Sequence, residues 1–137
     1  MDMDMKDYFA GHDGQGVLAT ATAEGKVNMA VYSKPFFLSA TDEELAFVMA
    51  RRMTFENVQA NPHACYMFTE AGSQHKGCRI YLKRTEVIED PALIAQLMEK
   101  GGYRFSAGES ADSVVLVNFH VEGVVPLVTH SVAFKAD

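Results

Sequence analysis

A chain of 137 residues with 48% hydrophobic content has apolar surface for one core, and no composition block suggests a second; a single domain over residues 1–137 is expected. Twelve basic residues against eighteen acidic ones leave a net charge of -6, which argues against a nucleic-acid backbone or an anionic membrane as the main partner. No apolar run is long enough to span a bilayer and the start does not read as a secretory signal, so the expected compartment is the cytoplasm.

In chain order, Met3, Met5, Tyr8, Phe9 and Ala10 are spaced among Asp2, Asp4, Lys6 and Asp7 as in a short amphipathic helix, ending near Gly11 and Gly14 and lying on the body as a lid. Gly16 to Ala23 alternates Thr20 and Thr22 with alanines, a strand of small residues that leaves room for a neighbouring backbone or a flat ligand. Glu24-Gly25-Lys26 is a turn, and Val27 to Tyr32 returns as a second strand. Pro35 interrupts before Phe36-Phe37-Leu38, and Thr41-Asp42-Glu43 turns the chain into an apolar strand from Leu45 to Ala50.

That strand ends in Arg51-Arg52-Met53-Thr54. Thr54 reads as a helix cap, and Phe55 to Ala60 as a short helix stopped by Asn61-Pro62. A helix start exposes unpaired N–H groups and partial positive charge, so a phosphate seated there meets backbone donors, a hydroxyl and two guanidinium forks. The plainer alternative is an ordinary cap beside two solvated arginines. Ala64 to Phe68 and Cys78 to Ile88 are strands either side of a polar loop, with Cys65 expected opposite a residue near Leu82 and so away from Cys78. His63, Cys65, His75 and Cys78 are zinc-ligand types at a spacing that matches no zinc signature, and no metal site is assigned.

Asp90-Pro91 opens a helix carrying Leu93, Ile94, Leu97 and Met98 on one side, and Gly101-Gly102 closes it. Tyr103 to Asp112 reads as a loop. Val114 to Val128 is the last extended stretch, with a break at Gly123 or Pro126 as the two candidates. Short strands, tight turns and few helices predict a mainly β, antiparallel barrel.

The order of small-residue strand, turn, strand bearing Asn28, apolar strand, Arg51-Arg52-Met53-Thr54, helix and Asn61-Pro62 resembles the flavin-binding split-barrel family typified by pyridoxamine 5'-phosphate oxidase and the small FMN-binding proteins. The likeness runs from about Gly16 to Leu127, and the closing stretch from Val117 to Leu127 is similar to the family's last strand. It implies a split β-barrel homodimer with FMN held noncovalently at the subunit interface. Arg51, Arg52, Thr54 and Asn57 would surround the phosphate; Asn28, Met29, Ala30 and Val31 would lie beside the ring, with Val48, Met49 and Met53 adjoining. Met53 stands where many relatives carry lysine, so Arg51 or Arg52 would balance the charge. The arginine- and proline-containing tail of the true oxidases is not seen, which argues against pyridoxamine phosphate oxidation.

The resemblance therefore implies a flavin-dependent reductase, oxidase or electron carrier, exchanging electrons with a pyridine nucleotide or a redox partner protein. Competing readings place haem or a deazaflavin in the same barrel, or leave it a cofactor-free dimeric interaction domain. No catalytic residue is assigned; His120, in an otherwise apolar strand, is the histidine of most interest.

Overall fold

The computed structural model describes residues 4–39, 41 and 43–128. Met1 to Met3 of the expected first helix and Asp42 of the expected turn lie outside the described residues. Within them the order is α1 (Met5–Gly11), β1 (Gly14–Ala21), β2 (Val27–Tyr32), β3 (Glu44–Ala50), α2 (Met53–Ala60), β4 (His63–Glu70), β5 (Gly77–Ile88), α3 (Pro91–Gly101) and β6 (Val114–Pro126). The expected mainly β, antiparallel architecture is present: one six-stranded sheet in the order β2-β1-β4-β5-β6-β3, curled into a half-barrel.

The curl follows from side-chain parity. Alternate residues of each strand point inward, and the inward set is bulky: Leu18 on β1, Tyr66 and Phe68 on β4, Ile80 and Leu82 on β5, Phe119 on β6, and Leu45, Phe47 and Met49 on β3, all buried. The two end strands, β2 and β3, do not pair with each other. Helix α2 lies against β1, β2 and β3 and fills the gap between the edges, its Phe55 and Val58 entering the core. Asn57 fastens it by donating from Nδ2 to Thr20 Oγ1 at 3.1 Å.

Helix α1 lies against the body through one apolar face, as expected of an amphipathic helix. Met5 and Phe9 are buried in the main core, where Phe9 meets the ring of Phe68 edge-on at 5.0 Å, and Tyr8 donates its hydroxyl to Glu70 at 2.7 Å. Asp7, Ala10 and Gly11 stay exposed on its other side, so the gain comes from burying the apolar face alone. Helix α3 covers the other face of β3 and β6, where Ala46, Val114 and Leu116 pack against Ile94 and Met98. Its ends match expectation: the Asp90 side chain accepts from the Leu93 N–H, and Gly102 takes a left-handed φ of 75°.

Strand β6 runs unbroken to Pro126. At Gly123 the chain makes a register shift rather than the break that was one of two expectations: Tyr81 pairs with Gly123 and Leu82 with Val121, leaving Glu122 as an extra residue. Pairing of β4 with β5 sets Cys65 opposite Tyr81 and Cys78 opposite Phe68; Cys78 is fully buried inside while Cys65 faces out. The two thiols, on opposite faces of the sheet, cannot share a bridge or a metal ion.

Candidate functional site

The corner between β3 and α2 was expected to begin its helix after Thr54. Instead Arg52 is the N-cap, with extended backbone and no side-chain cap bond, and its carbonyl accepts the Glu56 N–H at 2.9 Å. Thr54 is the second helical residue and nearly buried. A tight turn at Arg51, closed by the Arg52 N–H on the Ala50 carbonyl at 2.9 Å, and the extended Arg52 leave the helix to start at Met53, a good helix former, and the N-cap supplies no side-chain bond to the first-turn N–H groups.

A shallow groove of about 430 Å³ runs beside this corner. It is lined by Asn28, Met29, Ala30, Val31 and Tyr32 from β2, Ala50 from the end of β3, and Arg52, Met53 and Thr54 from the start of α2. Because β2 ends the sheet, one side of its backbone has no strand partner among the described residues and presents N–H and C=O groups to whatever lies in the groove. The groove thus joins a hydrogen-bonding strand edge, apolar side chains of Met29 and Met53, and a cationic helix start.

The arginines diverge. Arg51 turns away, its Nη2 donating to Glu89 Oε1 at 2.7 Å while the guanidinium sits over the Phe55 ring at 5.8 Å. Arg52 enters the groove, 77% exposed at the side chain, and donates once to Glu109 Oε1 at 3.3 Å. Glu109 is also held by the Ser113 hydroxyl at 2.6 Å. A long, exposed contact of this kind is weak, and the rest of the Arg52 fork makes no hydrogen bond among the described residues. Burial pushes the Tyr32 phenol up, and the Thr54 hydroxyl beside it pulls the other way, so Tyr32 stays a neutral donor next to the corner.

Of the residues expected at a cofactor site, the structure brings together Asn28, Met29, Ala30, Val31, Arg52, Met53 and Thr54. It does not bring Val48, Met49, Arg51 or Asn57 to the same groove. Val48 lines an adjoining cavity of about 260 Å³, Met49 is buried in the core, Arg51 faces Glu89, and Asn57 is buried against Thr20. His120 is exposed, in register with Glu44 and Lys83. Sequence reasoning passed over Ala50 and Glu109; Ala50 is seen only once β3 is known to end beside β2, and Glu109 lies in a distant loop with no signal linking it to Arg52.

The half-barrel, with a helix filling the gap between its edge strands, is the split-barrel fold of pyridoxamine 5'-phosphate oxidase-like and other FMN-binding proteins. Among solved structures the chain is similar to an F420 reductase, at 14% identity and a TM-score of 0.68 over 87% of this chain and 94% of that one. An FMN-binding protein from Syntrophomonas wolfei aligns at 15% identity and a TM-score of 0.67, covering 90% of this chain and 83% of that one. HutZ, the heme storage protein from Vibrio cholerae, aligns at 20% identity and a TM-score of 0.64, covering 92% and 95%. Neither a protein-family model nor a curated protein matches the sequence. No helix among the described residues is long and apolar enough to cross a membrane.

Proposed function

We propose that the protein is a cytoplasmic homodimer that binds FMN noncovalently and serves flavin-dependent redox chemistry as a reductase, oxidase or electron carrier. One observation carries the reading: the free edge of β2 and the uncapped start of α2, with Arg52 and Thr54, face a single groove. A phosphate fits the corner, where first-turn N–H groups, the Thr54 hydroxyl and a weakly occupied guanidinium converge. The polar rim of a flat heterocycle fits the strand edge, and its faces fit Met29 and Met53. Bound there, FMN would supply hydride or single-electron transfer; the chain holds, orients and shields it.

Dimerisation is supported by the outward face of the sheet. Val27, Met29 and Val31 are 76%, 71% and 66% exposed, and the register extends this surface through Val17 and Met67 in one row and Ala19, Cys65 and Tyr81 in the next. A contiguous apolar face of this kind marks an interface. It shares Met29 and Val31 with the groove, so a second copy covering the face would also close the groove's open side.

Haem, the competing reading, would take an axial ligand from Met29, Met53 or Tyr32, since the described lining residues include no histidine or cysteine. A deazaflavin would use the same strand edge and corner. The visible spectrum of the freshly purified protein tests these together: the flavin reading expects two broad bands with loss of the yellow colour in the Arg52→Ala, Thr54→Ala double variant. A sharp Soret band would instead assign haem, and a colourless protein that takes up no FMN on titration would leave an interaction domain.

A further inference from the structure

A second cavity, of about 570 Å³, opens between α1, the segment from Lys34 to Phe37 and the C-terminal end of α3. It shares no lining residue with the cofactor groove. Three lysines reach it, Lys6, Lys34 and Lys100, and no carboxylate lines it, although the chain as a whole carries a net charge of -6. Lys34 is spent on the end of α1 and the residue beyond it: its Nζ donates to the Phe9 carbonyl at 2.8 Å and to the His12 carbonyl at 3.2 Å, and Asp13 Oδ1 stands 3.7 Å away as its counter-ion. Lys6 and Lys100 make no ion pair among the described residues. Lys6 and Lys100 are thus left without a counter-ion among the described residues, and an anion entering between them supplies one.

The rest of the cavity is aromatic. Phe36 and Tyr103 meet edge-on, centroids 5.6 Å apart at 77°, and separate this cavity from the smaller one beside Val48. The wall depends on Gly101, where a Cβ would stand 2.8 Å from the Tyr103 ring and 3.4 Å from Phe36. Glycine there lets the ring fold back against the end of α3.

We propose that this cavity binds a small aromatic anion, a carboxylate or a phosphate, its ring against Phe36, Phe37 and Tyr103 and its charge between Lys6 and Lys100. Aromatic walls favour a flat apolar body, and a lysine-ringed mouth rejects cations and gives neutral analogues nothing for their charge-free end. The site stands independently of the flavin reading, since no groove residue takes part.

The full chain, as purified, is titrated with 1-naphthoate, 1-naphthyl phosphate and the neutral 1-naphthalenemethanol at low salt, by calorimetry and by amide NMR. The anions are expected to bind at least about tenfold more tightly than the alcohol, a difference of about 1.4 kcal/mol, with shifts centred on Phe37, Leu97 and Gly101. Tighter naphthyl phosphate assigns the dianion as the preferred ligand class, tighter naphthoate the carboxylate. In Lys6→Gln, Lys100→Gln the anions should fall to the alcohol's affinity while the alcohol is unchanged; Lys34 is kept because it holds α1. The unfolding midpoint of this variant checks that it is folded. Equal affinity of anions and alcohol, undiminished anion binding in the double variant, no binding by any probe, or shifts centred on Asn28 to Tyr32 would overturn the proposal.

Discussion

Arg51 and Arg52 follow one another in the chain, but the tight turn closed by the Arg52 N–H on the Ala50 carbonyl parts their side chains, one to Glu89 and one to the groove. Under the flavin reading Arg51→Ala keeps FMN and costs no more than the ~0–1 kcal/mol of an exposed ion pair, measured by urea unfolding. Side-chain parity sorts two neighbours on β3. Leu45, Phe47 and Met49 share the inward face of β3, so Val48 and Met49 cannot both face one ligand. Asn28 to Val31, by contrast, all line the groove, because a strand that ends a sheet offers its backbone as well as its side chains. At Cys78, burial first and the Glu70 charge second push the thiol up from 9.0 to about 11. The native state therefore keeps a proton that the unfolded chain gives up. Its contribution to stability is full below pH 9.0 and lost as pH rises towards about 11. Thermal unfolding midpoints taken across that window should fall less steeply for Cys78→Ala than for the parent protein.

Among the elements, α3 was the easiest to read, because Asp90-Pro91 and Gly101-Gly102 punctuate both ends and the apolar spacing between them is helical. Replacing Asp90 by alanine removes the cap on the Leu93 N–H and should cost about 0.5–2 kcal/mol. Ile94→Ala opens a cavity over β3 and β6 and should cost about 2–5 kcal/mol, both seen as a lower urea midpoint. In helix α1 the amphipathic pattern gives the apolar face but not what it packs on; here that is Tyr66, Phe68 and Phe37. The irregularities in β5 and β6 left no sequence mark beyond Gly123, since which residue goes unpaired depends on the partner strand. A close approach that the sequence hid is Gly16, over which the Tyr66 phenol lies while donating to the Ser33 carbonyl at 3.0 Å. Gly16→Ala should force that ring aside and destabilise by about 1–3 kcal/mol.

At the scale of the molecule, the order of elements was legible because each turn carries its own punctuation, whereas the meeting of β2 with α2 is a product of the curl. That curl leaves two edge strands apart, places a helix between them, and exposes an apolar outer face next to the groove. If that face joins two copies, Val27→Lys with Met67→Lys, neither lining the groove, should convert dimers to monomers in light scattering and weaken FMN retention with it.

The account rests on a phosphate being held by Arg52, Thr54 and the first turn of α2, and comparing the affinities of FMN and riboflavin tests it most directly. Charge-assisted hydrogen bonds of about 1.5–3 kcal/mol predict that the parent protein binds FMN at least about tenfold more tightly than riboflavin. The Arg52→Ala, Thr54→Ala variant should bind the two alike, by losing affinity for FMN only. Equal affinities in the parent protein, or a preference for FMN that survives in the variant, would contradict it.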